Sequence, residues 1–283
     1  MLKFSLVVAT KGRTLELAQL LRSIDRQVYG AFEVIVIDQN DDERLDEIIK
    51  ASNSRDKIRR VKCSPGLSRA KNVGLRMAVG DVVAFPDDDC WYPPRLLSDI
   101  AVYFAQYPML DILSITSRDA NGRLSGNRWP LSPCEITQLN VFRTSVSYSY
   151  FVRLPRLKRQ IYFDEKLGLA SGSGYEASED TDFVIEAMKI GARARFDKTL
   201  YVGHPRKDVR KGNISPKRFY SYGVGMGYVQ RKHGLLLLFV LFVGYDLVRA
   251  ALAKAAGKAA WADLWYAHGR GLIAGYRGEP AKQ

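Results

Sequence analysis

The chain has 283 residues, 47% of them hydrophobic, and a formal net charge of +13. That length and apolar content exclude a disordered chain and suit one large α/β domain with an appendage. The positive balance favours an anionic partner, whether nucleotide, nucleic acid or anionic lipid; three scattered cysteines, Cys63, Cys90 and Cys134, imply neither a zinc site nor a disulfide framework and fit a reducing compartment.

The apolar run after Met1 is too short and too lightly charged for a secretion signal, and it leads straight into a strand–loop–helix pattern. Phe4 to Ala9 reads as the first strand. Lys11-Gly12-Arg13 makes a turn, Thr14 is a candidate N-cap, and Leu15, Leu17, Leu20, Leu21 and Ile24 recur at helical spacing. Phe32 to Ile37 is a second buried strand ending at Asp38. Asp41, Asp42 and Glu43 crowd the start of the next helix, where negative charge suits the dipole. Ile58 to Val61 is a short third strand, and Gly66-Leu67-Ser68 opens a helix that ends by Gly80. This alternation predicts a mostly parallel twisted sheet flanked by helices.

The next stretch, Val82 to Pro94, carries the strongest chemical signal. Its apolar strand stops at three consecutive acids, Asp87, Asp88 and Asp89, followed by Trp91, Tyr92 and two prolines. Three carboxylates at the end of a core strand repel one another, and a hard divalent cation such as Mg²⁺ or Mn²⁺ offsets them well. In open α/β sheets, ligands sit at the carboxyl ends of strands. The alternative is a polar loop whose acids cap the following helix. That helix is expected from Pro93 to Tyr107, with Val102 among its packing residues. Ile112 to Ile115 is a candidate strand, and Val141 to Tyr150 another, continuing from Phe151 to Leu157. A second acidic patch, Glu179, Asp180 and Asp182, precedes a helix ending at Gly191. Two short strands then lead to Gly203-His204-Pro205.

From Tyr201 onward there are 14 Lys or Arg against 4 Asp or Glu. This tail holds an aromatic, glycine-rich stretch from Phe219 to Tyr228, the basic run Arg231-Lys232-His233, and an apolar run beginning at Leu235. Asp246 and Arg249 interrupt that run and are spaced to pair on one helix face. An interfacial or shallowly embedded helix is the favoured reading, with the tyrosines and basic residues at an anionic membrane surface. A spanning helix and an oligomer interface, such as a homodimer, are the alternatives. Because the excess charge lies beside an apolar run, it fits anionic lipid better than nucleic acid.

Four blocks, in order, resemble the family 2 glycosyltransferases with the GT-A fold. They are Val7 to Arg13; Val34 to Asp38; Gly66 to Leu75, which is similar to a Gly-x-x-x-Ala-Arg-Asn-x-Gly pattern with Lys71 in place of arginine; and Asp87-Asp88-Asp89, which is similar to the DxD motif. The resemblance spans about residues 4–204. It implies a GT-A domain over residues 1–205; the basic, apolar tail, 206–283, departs from the minimal family core and is read from its own residues as a helical, membrane-associating region. The resemblance places Thr10, Arg13, Asp38, Lys71, Asn72, Asp87 and Asp88 against a nucleoside diphosphate sugar, and Asp87, Asp89 and His204 around Mg²⁺ or Mn²⁺. Asp180, with Glu179 beside it, is the implied base that activates a hydroxyl of a glycan or lipid-linked acceptor at the cytoplasmic face of the membrane, with inversion at the anomeric carbon. A nucleotidyltransferase is the nearest enzymatic alternative, and a catalytically inactive glycan-binding relative the non-enzymatic one. The dinucleotide GxGxxG and the P-loop pattern are both missing.

Overall fold

Apolar residues fill both faces of the first two strands, as is expected of strands covered by helices on either side. The computed structural model describes residues 1–156, 161–206 and 215–281. Strands β1 (Phe4–Thr10), β2 (Phe32–Asp38), β3 (Ile58–Lys62) and β4 (Val82–Ala84) are joined by helices α1 (Leu15–Asp25), α2 (Asp46–Lys50) and α3 (Leu67–Met77). All their mutual pairings are parallel, in the order β3-β2-β1-β4. Thr10 lies beside Asp38 in the β1–β2 register, so two expected donor contacts end neighbouring strands. Thr14 occupies the N-cap of α1, but its side chain makes no capping hydrogen bond.

After α4 (Leu96–Gln106), the chain adds β5 (Ile112–Arg118), β6 (Cys134–Glu135), α5 (Val141–Thr144), β7 (Tyr150–Arg153), α6 (Glu179–Lys189) and β8 (Ala194–Gly203). β7 enters the sheet antiparallel between β4 and β5, giving eight strands in the order β3-β2-β1-β4-β7-β5-β8-β6. The sheet is therefore mostly parallel, as the alternation predicts. Phe4, Leu6 and Val8 of β1, Leu17, Leu20 and Ile24 of α1, and Leu97, Ile100 and Phe104 of α4 share one core on it.

Four local expectations are revised. The strand expected over Val141 to Tyr150 is instead α5 and a 3₁₀ turn, Ser147–Ser149, followed by β7. β-Branched and aromatic residues there serve burial rather than strand pairing, because the turn delivers Tyr150 and Phe151, both fully buried, into the sheet. The expected continuation ends as the turn Leu154–Arg156, and its last residue, Leu157, lies outside the described residues. β8 is one strand rather than two, with a register shift against β5 that absorbs the polar residues between its halves. Val102 of α4 is exposed, and α4 begins three residues after Pro93.

Contacts divide the chain into two compact units. The first comprises Met1–Pro65, Ala70–Tyr162 and Phe183–Arg206, and holds the sheet. The second comprises Gly66–Arg69, Phe163–Asp182 and the chain from Lys207. It contains α7 (Pro216–Lys232), α8 (Leu236–Ala255) and α9 (Ala259–Arg277). α7 opens on a working cap: Ser215 Oγ accepts from Arg218 N–H, with Pro216 at the first helical position.

The glycine-rich stretch of α7 has a packing role. Gly223 and Gly227 on α7 face Gly271 and Gly275 on α9, and a β-carbon on any of the four would lie within about 2.2 Å of a backbone carbonyl oxygen of the opposite helix. Small residues four apart let two helix backbones touch. We expect Gly275→Val, whose side chain would collide with Val224 O, to cost at least about 2 kcal/mol. The expected readout is a lower thermal midpoint and faster amide exchange across 216–277; unchanged exchange would refute this close packing.

Candidate active site

In the first unit, the three acids occupy a turn just past β4, where Cys90 N–H donates to Asp87 O at 3.0 Å. Asp88 is buried. Thr10 Oγ1 and Arg13 Nη1 each donate to it at 2.8 Å, and the same Arg13 nitrogen reaches Asp89 Oδ2 at 2.8 Å. Arg13 thus bridges two carboxylates from the loop after β1. Burial pushes the Asp88 carboxyl up to about 6, against the pull of Thr10 and Arg13.

His204 brings the third strand end. Its Nε2 lies 3.6 Å from Asp89 Oδ1 and 4.0 Å from Asp87 Oδ2. The three residues offer ligand atoms within 4.8 Å of one another. His204 is itself buried, stacked on Tyr148 with ring centroids 4.3 Å apart, and its N–H donates to Arg118 O. Gly203 and Trp91 exchange backbone hydrogen bonds in both directions, at 2.8 and 3.0 Å, tying the acid turn to the end of β8. A β-carbon at Gly203 would enter the Trp91 indole, so only glycine permits that contact. Asp89 Oδ1 is buried with no hydrogen-bond donor among the described residues. Two carboxylates and an imidazole with such an orphaned oxygen fit a divalent cation.

Asp38 is fully buried and engaged within the protein. Its Oδ1 accepts from Asn40 N–H and Nδ2, and its Oδ2 from Arg60, with Lys62 at 3.2 Å. Burial opposes its ionisation, but these donors win and hold the carboxyl below its usual range. Asn40 Oδ1 in turn accepts from Gly12 N–H at 2.6 Å, so Asp38 and Asn40 fix the loop that carries Arg13. Sequence reasoning missed Asn40 and Arg60; the Asx pattern of Asp38-Gln39-Asn40 was the available signal. Lys71 is buried and donates to Ser147 Oγ at 2.7 Å, and Asn72 is buried next to it on α3.

In the second unit, Glu179 and Asp180 open α6. Glu179 is buried and Asp180 half-buried, with Asp180 Oδ1 accepting from Thr181 N–H at 2.8 Å. The residue before them, Ser178, has φ +69°, a left-handed conformation that costs a non-glycine residue about 1–2 kcal/mol. Its surroundings hold it there. Asp182 is buried and accepts from Lys232 Nζ at 2.9 Å and pairs with His233 Nε2 at 2.7 Å; Lys232 also reaches Asp164 at 2.9 Å. Burial disfavours the Lys232 charge, but Asp182 and Asp164 outweigh it, so its ammonium is held more firmly than in a free lysine. The Tyr175 ring packs at a tilt against Tyr228, and its hydroxyl donates to Gly278 O at 2.8 Å. Lys232, His233 and Tyr228, which the sequence reading sets at a membrane surface, therefore brace the segment that carries the acidic pair. Asp246 pairs with His268 on α9 rather than with Arg249, whose guanidinium lies over the Trp265 ring.

Comparison with known proteins gives the family and the fold. The profile of "Glycosyl transferase family 2" matches residues 5–165. The chain therefore belongs to glycosyl transferase family 2 and is a glycosyltransferase. It is 28% identical over 234 residues to the poly(ribitol-phosphate) beta-N-acetylglucosaminyltransferase TarS of Staphylococcus aureus, covering 78% of this chain but only 39% of TarS. It thus spans less than half the length of that relative. It is 25% identical to the glycosyltransferase YwdF of Bacillus subtilis, covering 83% of this chain and 85% of YwdF. A crystal structure of TarS residues 1–349 with UDP-GlcNAc superposes with a TM-score of 0.60 at 19% identity, over 98% of this chain and 92% of that one. That likeness shares the GT-A fold.

The raised Asp88 carboxyl has a consequence for stability. Its folded value, about 6, exceeds the ordinary 3.8 of an aspartate carboxyl, so the folded state binds the proton more tightly. Its contribution is full below pH 3.8 and is lost as pH rises through 6. With EDTA present, Asp88→Asn should raise the thermal midpoint relative to wild type more at pH 7.5 than at pH 4, by an effect bounded at about 3 kcal/mol. An equal difference at both pH values would refute the assignment.

Proposed function

We propose that this protein transfers a sugar from a nucleoside diphosphate donor to a hydroxyl of a cell-surface polymer, with a divalent cation and with inversion at the anomeric carbon. The observation that carries the metal requirement is the Asp87, Asp89 and His204 group with its orphaned Asp89 oxygen. Bound there, Mg²⁺ or Mn²⁺ supplies positive charge against the diphosphate leaving group. Arg13 fixes Asp88 and one oxygen of Asp89, leaving the other oxygen turned to His204. Thr10, Asp38, Lys71 and Asn72 shape the donor side, with Asp38 acting through Asn40 on the Arg13 loop. Asp180 takes the proton of the acceptor hydroxyl, and Glu179 sets its surroundings. Attack opposite the leaving group inverts the centre. The TarS complex with UDP-GlcNAc supports a UDP-sugar donor, and the name of that relative supports a polyol-phosphate polymer as acceptor.

The decisive experiment is a donor screen that measures released nucleoside diphosphate. Asp89→Asn should abolish most turnover with the fold intact, as should EDTA. Asp180→Asn should lower kcat by about 10²–10⁴ while donor affinity measured by calorimetry stays unchanged. Turnover that survives EDTA and Asp89→Asn alike would refute the metal; donor binding lost in Asp180→Asn would refute the base.

The same reading places the enzyme peripherally on the cytoplasmic membrane face. α8 is the one helix among the described residues long and apolar enough to cross a membrane. Leu237, Val240, Leu241, Val248 and Leu252 are each more than half exposed on it, and exposed Arg231, Lys254 and Lys258 flank it. Full-length protein should float with vesicles containing phosphatidylglycerol and remain behind with neutral vesicles. A stable dimer that ignores both would reassign the face to self-association.

A further inference from the structure

Within the first unit, a groove of about 470 Å³ lies between α1 and the segment Trp91 to Pro94. It is lined by Arg22 of α1 and Arg26 at its C-cap, by the aromatic rings of Trp91 and Tyr201, and by Pro93. No Val, Leu, Ile or Met side chain lines it. Arg22 and Arg26 are one helical turn apart and exposed, and neither has an ion-pair partner among the described residues. Like charges at this spacing repel. The acid between them does not offset them, because Asp25 accepts from Ser52 Oγ, Asn53 N–H and Ser54 N–H. A third cation lies over a lining ring: the Arg118 guanidinium is 5.0 Å from the centroid of the Tyr201 ring and likewise has no carboxylate partner among the described residues.

We propose that this groove binds an acidic polyhydroxylated chain, the polymer that accepts the sugar. The inference rests on the reading of this enzyme as a transferase acting on a polymer. Unpaired guanidinium groups suit phosphodiester or carboxylate groups. Trp91 and Tyr201 offer ring faces for the C–H faces of polyol or sugar units, each ring also having a polar edge. The lack of Val, Leu, Ile or Met side chains disfavours a bilayer, and the lack of acids disfavours a metal-bound nucleotide. The groove is also well placed. Trp91 follows Asp89 by two residues, Tyr201 precedes His204 by three, and the Trp91–Gly203 backbone bridge joins the two segments. Two of the residues that line the groove thus belong to the segments that carry Asp89 and His204.

The test is fluorescence anisotropy of the full-length protein with labelled oligo(ribitol phosphate) and, separately, labelled oligogalacturonate, at 50 and 200 mM salt. We expect the wild type to bind at least one of them, and which one identifies the acidic group. Arg22→Ala/Arg26→Ala should weaken that binding at least tenfold and flatten its salt dependence, while the thermal midpoint and donor affinity stay unchanged. The Arg22→Lys/Arg26→Lys protein should recover much of the loss. A wild type that binds neither oligomer, or a double alanine variant that binds as tightly as wild type, overturns the proposal. So does an arginine-dependent affinity for phosphatidylglycerol vesicles without oligomer binding. Arginine-dependent oligomer binding in a protein that turns over no nucleotide sugar supports the groove and counts only against the transferase reading.

Discussion

Three adjacent carboxylates at the end of a buried strand must be balanced, and the architecture of the first unit follows from how this is done. Arg13 takes Asp88 and one oxygen of Asp89, reaching them from the loop after β1. His204 faces the remaining oxygen of Asp89, and Asp87, from the end of β8. Neither residue is close to the acids in sequence. Both arrive because parallel strands end on the same side of the sheet, the property that places ligand sites of α/β proteins at their carboxyl ends. The donors outside the acid turn serve this balance. Asp38 does so indirectly, since its bonds to Asn40 hold the Gly12 backbone, and with it the loop that carries Arg13.

The C-terminal helices answer a second requirement, that of holding a strained segment. Ser178 keeps a left-handed backbone immediately before Glu179 and Asp180. Such conformations persist only where surrounding contacts over-determine them. Asp182 with Lys232 and His233, Tyr175 with Tyr228 and Gly278, and Gly225 against Ala177 supply those contacts within one unit. The close α7–α9 backbone contact makes the brace stiff. The tail is thus both a support for the acidic pair and, through α8, an apolar surface. These roles fall on different faces: α7 and α9 turn their glycines to one another, while α8 leaves Leu237, Val240, Leu241, Val248 and Leu252 outward.

The sequence by itself determined the strand–helix alternation of the first hundred residues, because buried parallel strands are continuous apolar runs and their helices carry a 3.6-residue period. It also determined the candidate metal group. Carboxylates crowded at a strand end and a histidine after another strand are local signals, and the order of the four motif blocks made the family legible. The tertiary structure alone decided the rest. Periodicity cannot distinguish a buried strand from a buried turn, so residues 141–149, whose β-branched and aromatic residues read as a strand, fold instead as a short helix and a turn. The antiparallel entry of β7 depends on which strand edges remain open. The partners of Asp38, Asp182, Asp246 and Lys232 lie between 2 and 68 residues away along the chain. A charge pattern gives the sign of a side chain, whereas its partner is set by where the backbone brings a second charge. For that reason Lys232 and His233, which in sequence belong to a basic patch beside an apolar run, became internal ties only once the chain had folded.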